Sequence, residues 1–233
     1  MSKKATTFVG LTIAVGTAVV VDSVTRDSSF SDLPIFMCYF ALALLTSALK
    51  VRLPGITGTI SVNFLFVLVA TAVFSFSETV ILASVASIVQ SFWKARRRPK
   101  MLQVAFNVAT LAISSGIAYR AAHAIANVRA NSTLLLLPLA TCFYFTSNTL
   151  LVSGVLALVD TKPLLSVWKQ CYLWSFPYYL IGASIAGLVV LCANTMGAAV
   201  PLLIVPLMLM VHIFYRTCVA HVVIARSIPQ QPR

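Results

Sequence analysis

The sequence has very little charge. Asp and Glu together number 5 of 233 residues, charged residues of both signs make up 9% of the chain, and 60% of it is hydrophobic. A soluble domain of this length needs about 25% charged residues to keep its surface hydrated. The composition therefore excludes a soluble globular protein and predicts an integral membrane protein.

The chain is equally poor in residues that bind metals or perform acid–base chemistry. Its three histidines, His123, His212 and His221, do not share a metal-binding spacing, and its five cysteines include no CxxC pair. Ser114-Ser115-Gly116 resembles the setting of a serine nucleophile but has no evident base, and such residues usually serve helix packing. We therefore expect no catalytic residue, no cofactor and no metal.

The basic residues are grouped. The 17 Lys and Arg give a net charge of +12, but they lie in short segments between apolar runs, which excludes a nucleic-acid-binding face. The densest group is a basic cluster of Lys94, Arg96, Arg97, Arg98 and Lys100. Short loops rich in Lys and Arg stay in the cytoplasm, so this cluster predicts a cytoplasmic loop that contacts lipid headgroups.

Runs of apolar residues predict one membrane domain, residues 1–233, in the all-α class: a polytopic transmembrane helix bundle. The expected spans are 8–21, 33–49, 60–74, 79–93, 101–119, 133–159, 173–193 and 198–215. Ser75 and Glu78 have capping-box spacing between the third and fourth spans. Residues 161–172 predict an amphipathic helix in the membrane interface, with Thr161, Lys162 and Pro163 as its cap and first turn.

Eight spans place both chain termini in the cytoplasm. With the basic cluster inside, only Arg26, Arg120 and Arg129 of the 17 basic residues fall on the other side. A wrong span count would scramble this asymmetry, so the charges support the count. A cleaved signal peptide is the alternative for the first span, but Val19, Val20 and Val21 leave it without a small-x-small cleavage site.

Uncharged polar residues form stripes along several spans. Ser84, Ser87 and Ser91 share a face of the fourth span, and Thr141 lies on a shared face of the sixth. The candidate site residues are Asn63, Gln103, Asn107, Thr110, Tyr144 and Asn148. Amides avoid hydrocarbon, so these faces should meet inside the bundle. They form either an interhelical hydrogen-bond network or a small polar pocket in the half away from the basic cluster.

Gly182, Ala183, Ala186 and Gly187 give the seventh span two small-xxx-small pairs. The spacing predicts close helix packing, with a homodimer as the alternative.

Three stretches carry a resemblance to a known family. They are LKVRLPGITGTISVN (49–63), FWKARRRPKMLQVAFNVA (92–109) and NTLLV (148–152). Together they resemble the multi-pass N-terminal membrane sensor region of bacterial cyclic-di-GMP signalling proteins, in which the bundle precedes a GGDEF or HD-GYP enzyme domain. The resemblance covers most of residues 49–158 and implies an inner (plasma) membrane location. Here Ile228-Pro229-Gln230 interrupts the helix that would lead into such a domain, so no enzyme is expected in this chain.

Two functions remain open at this point. The first is a sensory or scaffolding membrane module that passes a signal to a cytoplasmic partner in trans. The second is a small-molecule permease, or the substrate-binding membrane subunit of a transporter.

Overall fold

The computed structural model describes residues 2–26, 32–47, 50–52, 59–61, 63–93, 98–128 and 133–196, together with Leu209, Met210, Ile213 and Thr217. Within these residues the chain forms eight α-helices, a two-stranded hairpin and one 3-10 turn. The order is α1 (Lys3–Arg26), α2 (Leu33–Thr46), β1 (Lys50–Arg52), β2 (Thr59–Ser61), α3 (Phe64–Val73), α4 (Phe76–Phe92), α5 (Met101–Val128), α6 (Thr133–Asp160), α7 (Leu164–Cys171), the 3-10 turn Leu173–Ser175 and α8 (Phe176–Met196).

Three helices are long and apolar enough to cross a membrane: Lys3–Thr25, Met101–Asn127 and Leu135–Asp160. At about 1.5 Å per residue, the helices that contain them measure roughly 36 to 42 Å, against a hydrocarbon core of about 30 Å. Shorter apolar helices cover Leu33–Thr46, Phe64–Val73, Phe76–Phe92 and Phe176–Cys192. The architecture is thus a helical membrane bundle of long and short members.

Close contact between small residues fixes α1 against α5. A Cβ built on Gly16 would overlap the Cα and Cβ of Ala109, and one built on Gly116 would lie 3.1 Å from Val19 Cγ1. The residue numbers rise together along both helices, so α1 and α5 run in the same direction. The predicted first span is therefore a packed member of the bundle.

Helix α4 is antiparallel to its neighbour α5. Ser91, at the end of α4, bonds to Asn107 near the start of α5, whereas Phe76, at the start of α4, packs on Tyr119 further along α5. Phe36, near the start of α2, packs on Phe74 in the turn between α3 and α4. The start of α2 therefore lies at the same end of the bundle as the start of α4.

Helix α3 is the centre of the bundle. Its residues from Phe64 to Thr71 are all buried, and it is apolar on every side. At about 15 Å, its 10 residues are too short to cross the hydrocarbon core alone. The prediction of a span starting at residue 60 is wrong in its boundary, because residues 59–61 form strand β2, which pairs antiparallel with β1. Apart from this short strand pair the described residues are helical, and the expected all-α class is confirmed.

The turn between α3 and α4 confirms the predicted capping box. The Ser75 N–H donates to Glu78 Oε2 at 2.8 Å, and the Glu78 N–H donates to Ser75 Oγ at 3.3 Å. Glu78 is only 1% exposed. The capping box thus satisfies the start of α4 inside the protein, where water is scarce.

The cap predicted for α7 is wrong in detail. Pro163 occupies the N-cap without a side-chain bond, and Thr161 instead ends α6, with a φ of 54° in the left-handed region. The Lys162 N–H donates to the carbonyl of Ala157 at 3.0 Å, which closes α6 in a Schellman-type turn. Glycine usually fills the position of Thr161, because a β-branched residue is strained there.

The last predicted span, 198–215, lies outside the described residues apart from Leu209, Met210 and Ile213. Lys94, Arg96 and Arg97 of the basic cluster also lie outside them. Arg98 and Lys100, the other two members of the cluster, are exposed just before α5.

Candidate functional site

The polar stripes of α4 and α5 meet inside the bundle. Asn107 Nδ2 donates a hydrogen bond to Ser91 Oγ at 3.2 Å. Thr110 is 2% exposed and lies one helical turn further along α5. Gln103, one turn before Asn107, is exposed and so does not join the buried contact. We call this contact the α4–α5 seam, formed by Ser84, Ser87, Ser91, Asn107, Thr110 and Ser114.

The polar residues of α6 meet a different partner. The Asn148 side chain lies beside the Tyr179 hydroxyl of α8, and the rings of Tyr144 and Tyr179 have centroids 6.3 Å apart. Asn63, at the N-cap of α3, is buried. It directly precedes Phe64, whose ring centroid lies 4.5 Å from that of Tyr179. Five of the six candidate residues are therefore divided between two places, Gln103 belongs to neither, and the six do not line one pocket.

The Asn107–Ser91 hydrogen bond and the contact of Asn148 with Tyr179 lie in the half of the bundle next to the basic cluster. Ser91 is one residue from the end of α4 that leads into the cluster, and Asn107 is in the second turn of α5. Tyr179 is in the first turn of α8, at the corresponding end. The sequence had placed a polar pocket in the opposite half, because a stripe on one helix does not show which level of the neighbouring helix it contacts.

Aromatic rings surround Tyr179. Tyr179 lies 5.0 Å from Phe145, edge to face, and Phe145 lies 4.9 Å from Phe176. Tyr178 lies 5.1 Å from Phe64. We call the whole group the aromatic cluster: Phe64, Tyr144, Phe145, Phe176, Tyr178 and Tyr179. It joins α3, α6 and α8 at the centre of the bundle, and such ring pairs add about 0.5–1.5 kcal/mol each beyond burial.

Helix α7 connects to this cluster through one side chain. Trp168 Nε1 donates to Thr149 Oγ1 at 2.9 Å, and its ring lies 6.4 Å from that of Phe145. Val167 is buried, whereas Leu164 is 42% and Leu165 63% exposed. Helix α7 therefore holds the bundle with one face and presents leucines on another, as a helix in the membrane interface does.

An ion pair joins α1 to α5 at the other end of the bundle. Arg120 is paired with Asp22, and its guanidinium lies 4.4 Å from the centre of the Phe76 ring. Tyr119 stacks on His123 beside it, with ring centroids 4.1 Å apart. The sequence did not predict this group. The available signal was that Asp22 and Arg120 lie at the ends of two predicted spans on the same side of the membrane.

The small residues of α8 contact the same chain. A Cβ built on Gly182 would overlap the Phe64 ring, and one on Gly187 would lie 3.7 Å from Leu137. Ala183 and Ala186 are also buried. The predicted close helix packing is what the structure shows at these positions, and no homodimer is needed to cover them.

Within the described part of the chain, no group of three or more His, Cys, Asp and Glu side chains is placed to hold a metal ion. Cys38 and Cys142 are exposed free thiols. The polar and aromatic contacts between the helices of this bundle thus come from amides, hydroxyls and ring pairs.

The apolar helices and their polar contacts define a helical membrane protein. Comparison with models of known families matches residues 8–217 to MASE9, and the chain belongs to this family. MASE domains are membrane-associated, non-catalytic sensory domains of cyclic-di-GMP signalling proteins. The resemblance noted in the sequence is confirmed to this extent. Comparisons with curated proteins and with solved structures found no match.

Proposed function

We propose that the chain is a multi-pass sensory module of the bacterial inner membrane that passes its signal to a cytoplasmic partner. The observation that carries this proposal is the family match over residues 8–217. Eight spans with both termini in the cytoplasm, as the charge asymmetry predicts, would place the partner beside the basic cluster and α7. The alternative, a permease or transporter subunit, has no comparable support.

Helix α7 is the element best placed to carry the signal out of the bundle. It follows α6 directly, and its first residues are the exposed Leu164 and Leu165. Its link to the interior is the bond from Trp168 to Thr149. A shift of α6 against α8 would move Thr149 with it, so α7 would change position at the membrane surface.

The strained residue Thr161 lies between α6 and α7. Its left-handed backbone conformation costs roughly 1–3 kcal/mol in a β-branched residue. Strain at a junction favours any alternative arrangement that relieves it. We propose that α7 has two positions relative to α6, and that the signal changes their populations.

The experiment measures cellular cyclic-di-GMP in a strain that lacks the gene and in strains complemented with the wild type, Trp168→Ala or Leu188→Ala. We expect the wild type and Leu188→Ala to restore the same level, because Leu188 is 57% exposed on α8 and belongs to neither α7 nor the aromatic cluster. Trp168→Ala should fail to restore it while still inserting in the membrane. An unchanged nucleotide level in the deletion strain would contradict signalling to a cyclic-di-GMP enzyme.

The topology is tested separately. Reporter fusions after Arg233 and between residues 120 and 132 should report opposite sides of the membrane. The same side for both would show that the span count is wrong, and the cytoplasmic position of α7 would then need revision.

A further inference from the structure

The two halves of the α4–α5 seam have the same spacing. On α4 the positions are Ser84, Ser87 and Ser91; on α5 they are Asn107, Thr110 and Ser114, and both sets follow i, i+3, i+7. The bond from Asn107 to Ser91 sets the register of the two antiparallel helices. That register places Ser87 at the level of Thr110 and Ser84 at the level of Ser114.

The inner part of the seam is buried and its hydroxyls are not satisfied by protein. Ser84, Thr110 and Ser114 are 7%, 2% and 0% exposed, and their hydroxyls have no hydrogen-bond partner within the described part of the chain. Other buried hydroxyls in this bundle donate to a carbonyl one turn back, as Thr71 does to Val67 and Thr141 does to Leu137. The Ser153 hydroxyl also has no hydrogen-bond partner among the described residues, but it lies on α6, apart from the seam. Three unpaired hydroxyls along one contact destabilise the fold if no water reaches them.

Exposure falls along the seam from one end to the other. Gln103, next to the basic cluster, is exposed, Asn107 and Ser91 are half-buried, and Ser84 and Ser114 are buried. Past Ser114 the contact is closed by the Phe76 ring, which would lie 3.7 Å from a Cβ on Gly116. The seam is thus open toward the basic cluster and closed at the opposite end.

We infer that water enters the bundle along the α4–α5 seam from the end next to the basic cluster and hydrogen-bonds to Ser84, Thr110 and Ser114. The six seam residues carry hydroxyl and amide groups and no charge, so they suit a neutral molecule that both donates and accepts hydrogen bonds. Water needs two to four polar partners to remain in a protein interior, and facing hydroxyls with nearby backbone carbonyls can provide them. This inference does not depend on the signalling proposal.

The test uses cysteine accessibility in the full chain, reconstituted in lipid, with the native cysteines replaced by alanine. Ser84→Cys, Thr110→Cys and Ser114→Cys are made singly in this background. Silver ion, added in chloride-free buffer, is the probe, because it is small and reaches thiols only through water. The reacted fraction is read from loss of labelling by a fluorescent maleimide after unfolding.

Two matched controls accompany the test. Leu82→Cys lies on α4 at a position that is 0% exposed within the hydrophobic core, and Ile117→Cys lies on α5 at a position that is 42% exposed. A thiol in apolar surroundings has a raised pKa, and one unit reduces its thiolate fraction about tenfold. We expect the three seam thiols to react with silver at least about tenfold faster than both controls. Equal rates would overturn the inference.

Thermal unfolding of Thr110→Val gives an independent measurement that requires no thiol. Valine has nearly the shape of threonine and lacks the hydroxyl. If the seam holds water, the midpoint should fall, because the water loses a partner. If the seam is dry, removing an unpaired hydroxyl should raise the midpoint, and that result would also overturn the inference.

Discussion

Replacement of Gly16 by alanine tests the packing that joins α1 to α5. The added methyl group would overlap the Cα and Cβ of Ala109, and its distance to the Ala109 carbonyl oxygen would be 2.9 Å. Two of these atoms belong to the backbone of α5 and cannot rotate away. The two helices must therefore separate. Gly10, on the same helix, is the matched control, because a Cβ there meets nothing within 4 Å.

The size of the effect follows from the difference between the two variants. Each substitution gains the same helix propensity, about 0.8–1.0 kcal/mol, so this contribution cancels in the comparison. What remains is the overpacking at Gly16, which costs about 1–3 kcal/mol. For a chain of this length 1 kcal/mol corresponds to about 2–4 °C in the unfolding midpoint. We therefore expect Gly16→Ala to unfold roughly 2–12 °C below Gly10→Ala.

The assay is thermal unfolding of the purified full chain in mild detergent, followed by loss of the monodisperse peak in size-exclusion chromatography. Gly10→Ala should unfold at or above the wild-type temperature. Adding Gly16→Ala to the Gly10→Ala variant should lower the unfolding midpoint by as much as adding it to the wild type. The two effects should add, because the sites are about 9 Å apart along α1. Equal midpoints for the two single variants would refute the close approach of α1 and α5.

Substitutions at Thr161, in the Trp168–Thr149 bond and at Ser75 have defined outcomes in the same assay. Thr161→Gly should raise the free energy of unfolding by about 1 kcal/mol, because glycine adopts the left-handed φ of 54° without strain; Thr161→Val should not, and a gain there would disprove the strain. Trp168→Phe should lose about 0.5–1.5 kcal/mol by removing the Nε1 donor to Thr149. Thr149→Val should lose the same, and a double variant that loses the full sum would show that the bond is absent. Ser75→Ala should lose about 1 kcal/mol by opening the capping box, and unchanged stability would mean that water replaces the cap.

The long helices could be predicted from the sequence because their signals are local. Charged residues mark both ends of α1, and α6 ends at Asp160, where the predicted sixth span gives way to polar residues. The capping box is equally local, since Ser75 and Glu78 are three residues apart. Each of these features depends on a few consecutive positions, so a single sequence contains enough information to place it.

The contacts between helices could not be predicted in the same way. Asp22 and Arg120 are 98 positions apart, and each is an ordinary residue at a span end. Gly16 packs on Ala109 of α5, and no local pattern in the sequence links these two positions. The sequence shows the polar stripes, but it does not show at which height of the neighbouring helix each stripe makes its contact. That register depends on packing that only the folded chain shows.

The prediction of the third span was wrong for a different reason, which is the membrane itself. In a soluble protein an all-apolar helix must be buried, because water excludes it; in a membrane, lipid accepts the same residues. Hydropathy therefore cannot separate a lipid-facing span from a short helix at the centre of the bundle. The two kinds of helix differ in how their ends are satisfied. A helix of 10 residues ends within the apolar region, so its free N–H and C=O groups must be satisfied by protein. The hairpin of β1 and β2 precedes its start, and the Ser75–Glu78 capping box follows its end. Turn residues inside a predicted span are thus better evidence for a buried short helix than the span's apolar content is for a full crossing.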